Sequence, residues 1–193
     1  MIPEAEMRTQ AWNSALNCHG TYIVFSRRLR RLKLLTKLRD FWAFAIPIIL
    51  GGIAGSDAFG LPATYLTVLK IGLAVAAVIQ LLFALWAVFS RWDDDLAYSS
   101  RAVRDSYEME QAWRAIGEGR VNDIALEFRM RTDQQKIIDS HDIEKDITSE
   151  EKNLGMRNGL IEYRRSCAVC NEIPTSRRLP WWPKKKCAVC GGN

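Results

Sequence analysis

The chain has 193 residues, 27 Lys and Arg against 22 Asp and Glu, a net charge of +5, and 48% apolar residues. That length suits one domain, or one domain with a small appendage, and so small a charge does not by itself imply nucleic-acid binding. Residues 1–20 hold Glu4, Glu6 and Arg8 and no apolar core, so no cleaved signal peptide is expected. The long uncharged runs are concentrated between Phe41 and Ser90, and the flanks are rich in Arg, Lys, Asp and Glu.

Residues 1–40 form the first expected segment. Tyr22, Phe25, Leu29, Leu32 and Leu35 recur at helical spacing, with Arg27, Arg28, Arg30 and Arg31 between them. This predicts a basic amphipathic helix running into a membrane. Its arginines either meet anionic lipid headgroups or an anionic ligand, or pack on neighbouring helices and fix topology.

Residues 41–92 predict a transmembrane hairpin. Phe41 to Ser56 is uncharged, contains Pro47 and Gly51-Gly52, and at about 24 Å of helix is a short span. Gly60 and Pro62 suit a tight turn. Ile71 to Ser90 is uncharged, spans about 30 Å as a helix, has Gln80 as its one strongly polar member, and is bracketed by Lys70 and Arg91 with Trp92 following. Arg27, Arg28, Arg30, Arg31, Lys33, Lys37 and Arg39 precede the first span, which places both termini of a multi-pass membrane protein in the cytoplasm.

Residues 93–163 read as a cytoplasmic helical region. Asp93, Asp94 and Asp95 are expected to be a solvated helix start, because adjacent carboxylates on a helix diverge. Leu96, Val103, Tyr107, Met109, Trp113 and Ile116 follow, Gly117 and Gly119 interrupt, and Val121, Ile124, Ala125 and Phe128 resume the period. Thr148 and Glu151 have capping-box spacing for a further helix through Leu154 and Leu160.

Residues 164–193 read as a zinc ribbon. Cys167-Ala-Val-Cys170 and Cys187-Ala-Val-Cys190 supply four thiolates for a closed, structural zinc site, with dithiol redox chemistry or an iron–sulfur cluster as alternatives. Sixteen residues separate the pairs, room for a short strand excursion shaped by Pro174, Pro180 and Pro183. Arg164, Arg165, Arg177, Arg178, Lys184, Lys185 and Lys186 surround Trp181 and Trp182. Such interleaving suits a nucleotide or oligonucleotide, or else lipid headgroups and a small core. Cys18, His19 and His141 stand isolated, and no catalytic arrangement is evident, so the chain is not expected to be an enzyme.

In sum, the expected fold is an all-α membrane protein: a two-span hairpin with cytoplasmic helices and a C-terminal zinc ribbon. From Tyr22–Asp40 through both spans and the helical continuation, this order of parts resembles the SLATT family over roughly residues 12–150. The paired CAVC turns look like the CxxC tails of some mobile-element proteins. The resemblance implies a homo-oligomeric pore in antiphage defence, gated by a nucleotide signal from a partner nucleotidyltransferase. Gln80, as a pore-facing or interhelical hydrogen-bonding group, and Asp57, at the outer mouth, would then be the pore candidates, and Gly72, Ala76, Ala77, Ala84 and Ala87 would permit close helix approach. The rival reading is a membrane-tethered zinc-ribbon module that binds nucleic acid or a protein partner; a membrane thiol oxidoreductase is a third.

Overall fold

The structure is a computed structural model that describes residues 2–54, 63–143, 145–182 and 186–192. It contains α1 (Glu4–Ala54), α2 (Ala63–Phe89), α3 (Trp92–Gly117), α4 (Ile124–Ile143) and α5 (Ser149–Glu162), with no strand among the described residues. The expected amphipathic helix and the first apolar segment are one unbroken helix of 51 residues, with Pro47 inside it. Arg91, in the left-handed region at φ 52°, separates α2 from α3. After α3, Gly119 at φ 72° ends the run where the sequence predicts an interruption. The capping box forms as expected: Glu151 N–H donates to Thr148 Oγ1 at 3.2 Å, and Thr148 N–H donates to the Glu151 carboxylate at 3.0 Å.

Two compact units result: Met1–Arg28 with Ser99–Asn193, and Leu29–Tyr98. In the first, α1 is buried on more than one side. Ala11, Ala15 and Cys18 pack with Met109, Trp113 and Ile116, and α4 adds Ile124, Phe128 and Ile138. On another side Leu16 meets Leu160 and the cysteines of the tail. Gly155 and Gly159 are one helical turn apart on α5 and let two backbones touch. A Cβ at Gly155 would lie 2.8 Å from the Gly20 carbonyl oxygen, and one at Gly159 would lie 2.8 Å from that of Leu16.

Several polar groups inside this core are matched. Glu110, only 4% exposed, accepts from the Tyr163 hydroxyl at 2.9 Å and lies 3.1 Å from His19 Nδ1. The Cys18 thiol and the Trp113 indole N–H both donate to Gln135 Oε1, at 3.1 and 3.3 Å. Burial, reinforced by Asp139, pushes the Cys18 thiol up to about 12, so it stays protonated. Arg28 crosses to the start of α5, donating to the Glu151 carboxylate (Nε at 2.7 Å) and to the Lys145 carbonyl at 2.8 Å.

The second unit has the opposite character. Lys70–Phe89 is one helix long and apolar enough to cross a membrane, with a mean hydropathy of 2.4 and only 6% of it buried. Phe41, Phe44 and Ile48 of α1 are likewise exposed. Polar contacts within this unit include the Gln80 amide donating to the Arg39 carbonyl at 3.1 Å and the Arg39 guanidinium meeting Asp93 at 3.2 Å.

Gly155→Ala should destabilise the first unit by about 1–3 kcal/mol through forced separation of α1 and α5, read as a lowered thermal midpoint. Glu151 adds a pH signature. Its hydrogen bonds from Arg28, then from Thr148, hold its carboxyl down to about 2, against an ordinary 4.5. Its stabilisation is therefore complete above about pH 4.5 and lost as pH falls toward 2. In Glu151→Gln, this acid limb of the stability profile should flatten.

Candidate metal centre

Each CxxC pair sits on a turn closed in the same way. Asn171 N–H donates to the Cys167 carbonyl at 2.8 Å, and Gly191 N–H donates to the Cys187 carbonyl at 3.0 Å. The two residues that close the turns, Asn171 and Gly191, both take positive φ, 56° and 78°. Asn and Gly are the residues that tolerate this region most readily.

These turns bring the four sulfurs within 4.8 Å of one another. Cys167 and Cys187 are 3.8 Å apart, and Cys170 and Cys190 are 3.6 Å apart. A tetrahedral ion with metal–sulfur bonds of about 2.3 Å needs sulfur–sulfur edges of about 3.8 Å. The donor set thus fits one metal ion, and the separations are far beyond a disulfide bond of about 2.0 Å. Cys167, Cys187 and Cys190 are buried and Cys170 is partly exposed, so a bound ion would be enclosed. Backbone N–H groups of Cys190 and Val189 pull the Cys187 thiol down to about 7, whereas burial pushes the neighbouring Cys190 thiol up to about 12.

A family model described as "Mobilome CxxCx(11)CxxC protein" matches residues 8–193. The chain belongs to that family. The match takes in α1 from Arg8 onward, the other four helices and the cysteine tail. Here 16 residues separate the pairs, five more than the 11 in the family's description. No curated protein and no solved structure matches the chain.

In this family member the excursion between the pairs differs from the sequence expectation. No strand forms among its described residues. Its prolines lack N–H donors for a ladder, and side chains of α5 take its carbonyls. Arg157, 1% exposed, donates from Nε to the Ser176 carbonyl and from Nη1 to those of Cys190 and Gly192. Asn158 donates to the carbonyls of Leu154 at 2.7 Å and Arg177 at 3.0 Å. The tail is therefore clasped to α5 and is not a free-standing ribbon. A divalent ion with four thiolates carries a net charge of about −2, which the buried guanidinium beside Cys190 partly offsets. The sequence reading missed Arg157; the neighbouring glycine pair, Gly155 and Gly159, was the available signal that α5 is buried closely.

The other candidate residues separate into engaged and exposed groups. Arg28 is held by α5 as described, so its role is structural. Arg165 donates to Asn13 Oδ1, and Arg177 pairs with Glu162 at 3.0 Å. Arg164 ends α5 at φ 49°. Arg27, Arg30, Arg31, Arg178 and Lys186 are exposed, as are Trp181 and Trp182 at 89% and 85%. Gln80, expected as a pore-facing or interhelical hydrogen-bonding group, donates its amide from α2 to the Arg39 carbonyl of α1. Asp57, Lys184 and Lys185 lie outside the described residues.

Elemental analysis should find one metal ion per chain, lost in Cys187→Ser and Cys190→Ser. Arg157→Ala should weaken retention against a chelator by about 10–100-fold, the range for groups that orient ligands. Arg157→Lys should not restore it, since one ammonium cannot reach three carbonyls in Arg157's geometry.

Proposed function

We propose that this chain is a membrane-tethered module. The last part of α1 and α2 insert as a two-span hairpin in the bacterial inner membrane, both termini stay in the cytoplasm, and a structural zinc ion closes the four-cysteine site. The observation that carries this reading is the nearly uncovered apolar helix Lys70–Phe89. Each large apolar side chain left in water forgoes about 1.5–3 kcal/mol, and here Ile71, Val75, Val78 and Ile79 are all more than half exposed. A bilayer removes that penalty. The basic residues before Phe41 supply the orientation.

A homo-oligomeric pore is the second reading. It is favoured by exposed apolar side chains on both helices of the hairpin, since two helices can enclose a pathway only by assembling with copies of themselves. The nucleotide signal, the partner nucleotidyltransferase and the role in antiphage defence come from the SLATT resemblance. In this reading Gln80 supports the hairpin and does not line the pathway, which leaves Asp57 as the pore candidate.

The full-length chain should resist alkaline extraction from membranes, and Val78→Arg should release it. Recovery of the unaltered chain in the soluble fraction would sink the tether. Loss of membrane potential in cells that co-express the chain and a nucleotidyltransferase would select the pore. An unchanged potential with the chain still in the membrane would select the tether alone.

A further inference from the structure

The hydrogen bond from Gln80 to the Arg39 carbonyl fixes the register of α1 against α2. Arg39 lies 15 residues before the end of α1, about 22 Å of helix, and Gln80 lies 17 residues after the start of α2, about 26 Å. If the helices ran parallel from this bond, Ala54 and Ala63 would be about 48 Å apart. The nine peptide units between them reach at most about 32 Å. The two helices are therefore antiparallel, and each step along α2 beyond Gln80 corresponds to a step back along α1 from Arg39.

This register separates two regions. On the side of the bond toward the turn, Phe41–Ala54 faces the stretch from Ala63 to Val78, and Lys70 is the one charged residue in either. On the other side, the apolar stretch Leu81–Phe89 lies level with residues 30–38, which include Arg30, Arg31, Lys33 and Lys37. If all of Lys70–Phe89 crossed the bilayer, those four cations together with Arg39 and Asp40 would sit at hydrocarbon depth.

Interfacial residues gather at the same level. Trp42 is about 4.5 Å from it along α1, and Phe83 and Trp86 are about 4.5 and 9 Å from it along α2. Trp92 stacks edge-on against Phe83, with ring centres 5.3 Å apart. Arg39, bridged to Asp40 and Asp93, marks the level itself. Tryptophan rings and cations of this kind settle among lipid headgroups.

Resting on the hairpin reading above, we infer that the cytoplasmic headgroup layer crosses the protein at the Gln80–Arg39 bond, and that Leu81–Phe89 lies outside the hydrocarbon core. The exposed Leu85, Trp86 and Phe89 of α2 and the cations of α1 then form a two-helix amphipathic surface. Its partner is the boundary between acyl chains and anionic phospholipid headgroups. The hydrocarbon-spanning part is correspondingly short, about 21–24 Å of helix, and the bilayer thins around it.

The test is cysteine scanning in the full-length protein, in inverted membrane vesicles, with a membrane-impermeant maleimide and the unaltered chain as background. The expected result is labelling at Leu82→Cys, Leu85→Cys and Val88→Cys and none at Ile71→Cys, Val75→Cys and Val78→Cys. Protection from 75 to 85 would mean that the entire apolar run spans the bilayer. That would overturn this inference and leave the hairpin standing. Labelling at all six positions would remove the hairpin itself. A second readout uses reconstituted vesicles: Arg30→Glu with Arg31→Glu should abolish the blue shift of Trp86 fluorescence, measured against Trp86→Phe, that anionic lipid induces over neutral lipid. An unchanged shift would overturn the headgroup assignment.

Discussion

A guanidinium shielded from water holds the end of this chain in place. Arg157 lies within α5 and reaches three carbonyls of a segment that has no regular hydrogen-bond ladder. Buried carbonyls without donors are costly, and a proline-rich excursion has few ways to satisfy them internally. The geometry of the four cysteines therefore depends on a helix outside the cysteine motif. That helix depends in turn on Gly155 and Gly159, which let it lie directly on α1, so sulfur positions trace back to two absent side chains.

The same chain contains two regions with different solvent requirements. In the first unit, apolar residues are inside, and buried polar groups such as Glu110 and Gln135 are matched by hydroxyl, imidazole, thiol or indole partners. In the second, leucines, valines and aromatics point outward, while the inward contacts include an amide and a carbonyl. This inversion is what the proposed change of solvent from water to lipid along the chain would demand. α1 takes part in both units, with small and polar faces before Arg28 and exposed aromatics after Asp40.

Much of this was readable beforehand, for identifiable reasons. The ends of α3 and the start of α5 are set by local chemistry: Gly117 and Gly119 at one, Thr148 and Glu151 at the other. The cysteine turns were equally legible, because two-residue spacing dictates the turn whatever surrounds it. Less legible was anything fixed by residues distant in sequence. Arg28 read as a possible ligand contact because its partner Glu151 lies 123 positions away. Gln80 looked like a lone polar group in an apolar run, since nothing local indicates that it faces the Arg39 carbonyl. The strand expected between the cysteine pairs failed because the donors that take its carbonyls, Arg157 and Asn158, are on α5.

The make-up of the first unit also sets an order of events in synthesis. Its core needs Ala11, Ala15 and Cys18 from the beginning of the chain and Met109, Trp113 and Ile116 from beyond Ser99. Everything between is the apolar pair of helices. At roughly 5–20 residues per second, the ribosome takes on the order of 5–20 s to make the segment from Ser99 onward. Until α3 is made, the first half of α1 lacks Met109, Trp113 and Ile116, while the apolar segments have already been made. If α2 inserts as proposed, its insertion comes before closure of the domain, and the metal ligands, made after all five helices, join a core that begins with α1.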